Sequence, residues 1–227
     1  MPFTAQSVIT QAQATLQDAG GVRWLLPELL GYINAGTREI ALQKPNATAE
    51  TITLPLVTGT KQTLPAGYHR LLSVQRNVGN GRAITPIVRE VLDLQIPGWH
   101  NSTTLPFSPT VAHVMDDPFD TSTFYVCPGN EGNGEIEVIL SRLPAPIPVP
   151  NNQLDIAAYT AEVAVPDIYE NALVDYVCYR AFSKDINAPG IAQRAQAHYA
   201  LFQQALGIKS QIEMAQNVDT PKSRFSQ

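Results

Sequence analysis

The sequence is short of charge and has no long apolar runs. Charged residues make up 15% of its 227 positions and apolar residues 44%, a balance typical of a folded protein rather than a disordered one. The formal net charge is −5 and no run of Lys or Arg occurs, so the sequence shows no electrostatic footprint for nucleic acid. The longest apolar stretches, such as Ile136–Leu140, are far too short to cross a membrane.

Cysteine is scarce as well, because Cys127 and Cys178 are the only two. Met1–Thr4 does not begin a basic region followed by an apolar block, so no secretory signal is predicted. We therefore expect both cysteines to be free, buried thiols in a protein made in a reducing cytoplasm, since disulfide frameworks belong to exported proteins. The neutral polar residues that take the place of charge suit a surface buried against other subunits.

The N-terminal residues show helical spacing of apolar side chains. This spacing predicts a helix over Thr4–Asp18, which Thr4 caps and Gly20-Gly21 ends. A second helix is predicted from about Pro27 to Lys44, with the proline in its first turn.

The middle of the chain is predicted to consist of short strands. The candidates are Ile52–Leu56, Leu71–Arg76, Ala83–Ile87, Val111–Asp116, Thr123–Cys127 and Glu135–Arg142. A short helix over Arg89–Gln95 interrupts them. Two glycine-rich segments, Gly79–Gly81 and Gly129–Gly134, are predicted to be hairpin turns because glycine adopts positive backbone angles cheaply.

The last third of the sequence is predicted to be helical again. One helix begins where Asp167 and Glu170 can form a capping box, and it ends near Asp185. The next begins around Asn187–Pro189 and reaches about Gln216, whether or not it pauses at a glycine on the way.

Helices at both ends of a chain can meet in one bundle, which leaves the strands between them as an insertion. We therefore predict an α+β fold in which residues 1–48 and 165–216 form a helical bundle. Residues 49–164 form an inserted region of short antiparallel strands. Residues 217–227 are polar and have no core of their own, so they are predicted to form an extended tail.

A catalytic pair of carboxylates is the first enzymatic possibility. Asp116 and Asp117 are adjacent at the end of a predicted strand. Glycosidases place two carboxyl groups on either side of one bond, but neighbours on a strand point to opposite faces of the sheet. A hydrolase that uses Asp116 or Asp117 is therefore retained only as an alternative.

Metal and nucleophile sites are not predicted either. The histidines, none of which lies at ligand spacing from another, are His69, His100, His113 and His198. Cys127 has no histidine nearby in sequence to activate it, and Gly129–Gly134 lacks the lysine of a phosphate-binding loop. We predict no enzyme, no cofactor and no metal.

Two aromatic residues raise the possibility of a binding module. Trp99 follows Pro97-Gly98, and Tyr68 follows Ala66-Gly67, so both can lie on loops. Exposed, they would suit a receptor- or glycan-binding tail component; the interpretation that we favour is that they cover the core beneath the loops.

Several short segments follow one another in a characteristic order from about Ala12 to Gly207. They are Trp24, Glu28–Ala35, Leu54–Pro65 with its Gly-Thr turn and Gln-Thr-Leu-Pro end, Leu71–Asn77, Pro97–Trp99, Phe124–Pro128, Tyr169–Tyr176 and Arg194–Phe202. In order and spacing they resemble the head-to-tail connector (adaptor) proteins of short-tailed bacteriophages.

This resemblance implies a structural virion protein that forms a twelve-fold ring. The helical bundle would dock under the portal protein of the head, and the strand region would face the tail or nozzle protein. DNA would pass through the channel without specific binding, because a collar of acidic subunits repels its backbone. Another connector layer, a stopper or a tail terminator, is the closest alternative.

The resemblance also implies that a C-terminal segment, residues 214–227, contacts the portal. Its candidate anchors, with one residue just before it, are Lys209, Met214, Lys222, Arg224 and Phe225.

Overall fold

The protein is described by a computed structural model over residues 2–117, 119–184 and 190–216, with the side chains of residues 208–216 left out. The chain divides into two units. Unit 1 comprises Met1–Lys44 and Pro144–Gln227, and unit 2 comprises Pro45–Leu143. The expected boundary at residue 164 therefore falls inside unit 1. Residues 159–163 join the N-terminus there, since Gln6 N–H donates to Tyr159 O and Val163 N–H donates to Phe3 O.

Five α-helices and seven strands follow one another in the described residues, so the fold is α+β as predicted. The helices are α1 (Ala5–Leu16), α2 (Leu26–Gln43), α3 (Arg89–Gln95), α4 (Glu170–Lys184) and α5 (Ile191–Gln216). The strands are β1 (Ala49–Pro55), β2 (Gly59–Thr63), β3 (Tyr68–Asn77), β4 (Thr85–Pro86), β5 (His113–Asp116), β6 (Thr123–Asn130) and β7 (Glu135–Arg142). The strands and α3 lie in unit 2, and the other helices lie in unit 1.

The start of α1 agrees with its prediction, because the Thr4 hydroxyl accepts the backbone N–H of Ser7 at 3.3 Å. The helix ends earlier than predicted, since Gln17 already has a left-handed φ of 56°. The Asp18 carboxylate then accepts the backbone N–H groups of residues 22–24 at 2.9–3.0 Å. That turn leads the chain into α2.

Helix α4 packs against α1, α2 and α5. Its first residue, Glu170, accepts hydrogen bonds from the side chains of Ser7 and Gln11 on α1. Gly36 brings α2 close to α4, because a Cβ on it would lie 2.5 Å from Leu173 Cδ1. The glycine is therefore required by space rather than by backbone conformation.

The predicted capping box at the start of α4 is wrong. Asp167 begins a short 3₁₀ turn, Asp167–Tyr169, that precedes α4, and Pro166 occupies the cap position without a side-chain bond. Glu170 cannot reach back to it because its carboxylate is bonded to α1. The predicted beginning of the last helix, Asn187–Pro189, lies outside the described residues, and α5 is continuous to its end.

Unit 2 contains two sheets. One has the strand order β1-β7-β3 and the other β2-β6-β5-β4. β1 pairs with β7 in antiparallel register from Ala49–Ser141 to Pro55–Glu135, without a bulge. The pairing is antiparallel as predicted, with one exception: β4 and β5 are parallel.

One of the two predicted hairpin turns is wrong. Gly129–Gly134 joins β6 to β7, but β6 belongs to the four-stranded sheet and β7 to the three-stranded sheet. The segment therefore carries the chain from one sheet to the other. Gly79–Gly81 does lie in a reversal, which a single antiparallel bridge between Arg76 and Ala83 closes.

The main core of unit 2 consists of apolar side chains from both sheets, including Leu54, Phe124, Val138 and Leu140. A second cluster packs α3 onto the four-stranded sheet and consists of Leu92, Trp99, Met115 and Cys127.

Candidate interaction surfaces

The two adjacent carboxylates that sequence reasoning singled out line one open groove of about 530 Å³, together with Arg70. Strand alternation was expected to separate them, but Asp117 lies just beyond the last residue of β5 and escapes it. Asp117 Oδ1 accepts the backbone N–H of Phe119 at 3.0 Å, which is turn chemistry. Asp116 is exposed to solvent, whereas a glycosidase holds its proton donor in an apolar pocket.

Each histidine contacts one polar neighbour. These pairs are His69 with Ser141, His100 with Thr60, His113 with Thr85, and His198 with Asp175. Burial lowers the pKa of both His69 and His100, which favours the neutral rings. Among the described residues, no group of three His, Cys, Asp or Glu side chains is placed to hold a metal ion.

Both cysteines are free and buried, as predicted. Burial raises the pKa of the Cys127 thiol, and it raises that of Cys178 to about 12. The reactive form of cysteine is the thiolate, so neither side chain is set up as a nucleophile at neutral pH.

The aromatic residues proposed for carbohydrate binding are not exposed. Trp99 is fully buried, and its Nε1–H donates to Asp93 Oδ1 at 2.8 Å. Tyr68 lies on β3 and donates its hydroxyl hydrogen to Glu50 Oε2 at 3.0 Å. Both cover the core, which was the favoured interpretation. Among the described residues of this unit, the exposed aromatic side chain is that of Phe119, at 98%, which the sequence pattern indicated only as part of a turn.

A buried amide organises the segment between β6 and β7. Asn130 is fully buried. Its Oδ1 accepts the backbone N–H groups of Gly132 and Gly134 at 2.8 and 3.1 Å. Its Nδ2 donates to the carbonyl oxygens of Ser108 and Pro109 at 3.1 and 3.3 Å. One side chain thus ties two loops together.

Two further buried amides act in the same way. Asn77 exchanges hydrogen bonds with the backbone of Val111, and its Nδ2 also donates to Arg82 O. Gln62 exchanges hydrogen bonds with the backbone of Val57 and donates to Gly59 O. Sequence reasoning missed all three amides. The sequence does show an Asn or Gln near a glycine in each case, but this pattern does not indicate whether the amide side chain is buried.

The loops that these amides hold lie at one end of unit 2. We call residues 56–59, 77–82, 108–111 and 130–135 the pinned end. Because β1 pairs with β7 from Ala49–Ser141 to Pro55–Glu135, the pinned end is opposite the end where the chain enters and leaves the unit, at residues 45 and 143. Thr58 Oγ1 also donates to Glu131 O at 3.0 Å across this end.

Helix α5 is much longer than the helix it packs on. The ring pairs Tyr179–Tyr199 and Tyr176–Phe202 show that α5 runs antiparallel to α4, so residue 208 is level with Glu170, the first residue of α4. Residues 209–216 continue past that point for about 12 Å at ~1.5 Å per residue. We call these residues the α5 extension.

The candidate portal anchors belong to this part of the chain. Lys209 and Met214 lie on the α5 extension, where the backbone is helical and the side chains are not described. Lys222, Arg224 and Phe225 lie outside the described residues.

Comparison with known families gives one match. The model for the SU10 adaptor protein matches residues 3–224 of this chain. No curated protein matches it significantly. Within the described residues, the helices are too short or too polar for any of them to span a bilayer.

Proposed function

This chain belongs to the SU10 adaptor protein family, and from that premise we propose that it is one subunit of a ring that joins the portal of a phage head to the tail. The family is one of structural adaptors of phages, so the protein is a virion component and its work is mechanical. In the proposed ring, about twelve copies surround a channel through which the genome leaves the head.

The match over nearly the whole chain carries this proposal, because it covers both units and is not limited to one short motif. The α5 extension supports a docking role for the C-terminus. It continues beyond α4, the helix on which α5 packs, and such an extension suits a contact with another protein. We propose that the α5 extension and residues 217–227 bind the portal, with Lys209, Met214, Lys222, Arg224 and Phe225 as anchors.

The pinned end of unit 2 supports a second contact, with the tail. Its loops are held by buried side-chain amides rather than left free, so little conformational entropy is lost when a partner binds them. We propose that this end meets the tail or nozzle protein.

Charge supports the channel. Each subunit carries a formal charge of −5, and a closed ring concentrates the charges of all its copies around one axis. Such a collar repels the DNA backbone, so that DNA slides through without sticking. A stopper or tail-terminator layer is consistent with the same features, and the identity of the binding partner distinguishes it from an adaptor.

The test is mass photometry of the purified full chain, alone and mixed with its portal ring. A portal that gains about twelve copies supports the proposal, and a chain that stays monomeric and ignores the portal contradicts it. Replacing Lys222, Arg224 and Phe225 together by Ala is expected to abolish this gain. Replacing their neighbours Thr220, Ser223 and Ser226 by Ala is the matched control and should leave it unchanged.

A further inference from the structure

A concave surface lies on unit 1 at the turn between α1 and α2. A groove of about 240 Å³ there is lined by the α1–α2 turn and by residues 154–156. Three large aliphatic side chains around it are exposed to solvent: Val22 at 85%, Leu25 at 54% and Leu154 at 87%. Asp155, beside Leu154 on the rim, is also exposed. We call this surface the turn groove.

Hydrogen bonds fix the backbone on both walls of the turn groove. The Asp18 carboxylate fixes the α1–α2 turn by accepting backbone N–H groups, and these bonds lower the pKa of Asp18 although slight burial alone raises it. On the other wall, Asp155 Oδ1 accepts Ala157 N–H, and Tyr159 donates its hydroxyl hydrogen to Gln153 O. These bonds fix the backbone of both walls, and exposed leucines grouped on such a backbone are typical of a binding surface.

A second surface on unit 1 has complementary chemistry. Arg194, Ala197 and Leu201 recur on α5 at i, i+3 and i+7, so they share one face of the helix. This face differs from the one that packs on α4, which carries Ala195, Phe202 and Leu206. Leu201 is 49% exposed. We call this the α5 outer face.

Arg194 has no evident role inside the subunit. Its side chain is exposed and makes no hydrogen bond or ion pair with any residue that the structure describes. It lies in the first turn of α5, where the helix dipole disfavours a positive charge. A free cation beside an exposed leucine therefore matches the exposed Asp155 and the exposed leucines of the turn groove.

The two surfaces belong to helices that pack on different faces of α4. Helix α1 contacts α4 at Glu170 and Cys178, and α5 contacts it at Asp175, Tyr179 and Phe182. On a helix of 3.6 residues per turn, these two sets point in different directions.

The two surfaces also lie at the same height along α4. The Ser7–Glu170 hydrogen bond and the Thr15–Cys178 contact show that α1 runs parallel to α4, so its end is level with the second half of α4. The Tyr179–Tyr199 ring contact places the start of α5 at that level too. Two unlike patches at one height are what a head-to-tail contact around an axis along α4 requires.

We infer that the α5 outer face of one copy binds the turn groove of the next copy. Leu201 enters the groove beside Leu154, and Arg194 pairs with Asp155. Because the two patches are unlike, the contact is heterologous and repeats around a ring instead of stopping at a dimer. This inference rests on the proposed function and identifies the face through which the proposed ring closes.

The test is a charge exchange in the full chain, followed by mass photometry alone and on the portal ring. Arg194→Glu and Asp155→Arg are each expected to weaken self-association at least about tenfold, since each places like charges together in the interface. The double variant Arg194→Glu/Asp155→Arg is expected to restore the ring. Leu201→Asp should abolish it without rescue.

Matched controls lie on α2, where Arg38 and Leu42 are also exposed. Arg38→Glu and Leu42→Asp should leave the ring intact, and circular dichroism checks that every variant is folded. A ring that is indifferent to Arg194→Glu, or a double variant that does not recover, overturns this inference and leaves the proposed function standing. A wild-type chain that forms no ring, alone or on the portal, contradicts the proposed function and this inference with it.

Discussion

Replacing Asn130 by Ala tests whether buried amides hold the pinned end of unit 2. The substitution removes four hydrogen bonds between one buried side chain and the backbone of two loops. The N–H of Gly134 is buried, so water cannot replace its lost partner, and leaving this N–H without a hydrogen bond destabilises the fold by about 1–3 kcal/mol. The other three bonds are partly accessible and contribute roughly 0.5–1 kcal/mol each. The expected loss is therefore about 2.5–6 kcal/mol.

Urea unfolding followed by tryptophan fluorescence measures this loss, because Trp99 lies in the same unit. With a slope of about 2 kcal/mol per molar urea, the midpoint falls by roughly 1.2–3 M. Hydrogen exchange should also accelerate at Gly132 and Gly134. Asn133→Ala is the matched control, since Asn133 is exposed and its side chain makes no hydrogen bond within the described residues. A loss under about 1 kcal/mol, or an equal loss in the control, would refute the reasoning.

Three further predictions concern unit 1. Gly36→Ala should destabilise the protein by about 1–3 kcal/mol in urea, because its Cβ would lie 2.5 Å from a leucine side chain of α4; Gly31→Ala, on the open side of the same helix, should be neutral or stabilising. Burial alone raises the pKa of Glu28, but the hydrogen bond from Lys184 contributes to lowering it below its usual 4.5. Lys184→Met should therefore destabilise the protein by less than about 1 kcal/mol at pH 7, and this cost should disappear as the pH falls through the lowered pKa. Urea titrations at pH 3 and pH 7 that show equal costs would contradict this prediction. Cys178, whose pKa is raised to about 12, should resist iodoacetamide at pH 8 in the folded protein and react once it is unfolded, as mass spectrometry can follow.

Local patterns in the sequence predicted the elements whose cause is local. β7 has the predicted bounds because its apolar side chains alternate strongly, and the bounds of α3 were predicted as well. β2 was missed because Gly59–Thr63 has no apolar side chain, and its strand conformation comes from pairing with β6. Strand pairing is a long-range property that a single sequence does not display. For the same reason, Gly129–Gly134 read as a hairpin although it joins two sheets.

The interaction surfaces were less predictable than the fold. Burial separates a structural amide such as Asn130 from an ordinary loop residue, and it places Trp99 inside and Phe119 outside. None of this follows from composition or spacing, because each depends on which distant segment covers the side chain. Asp116 and Asp117 show the converse, since the alternation that should separate them holds only inside the strand ladder.

The pairing of β1 with β7 has a consequence for how this protein can diversify. Ala49 lies opposite Ser141, so the two ends of the inserted unit are held side by side. An insertion with adjacent ends is an exchangeable cassette, because it can be lengthened, replaced or cut down to a short turn without moving the chain on either side. A lineage with this architecture can alter what unit 2 recognises while the helices of unit 1 keep their sequence, and a protein engineer can do the same by grafting between residues 44 and 144.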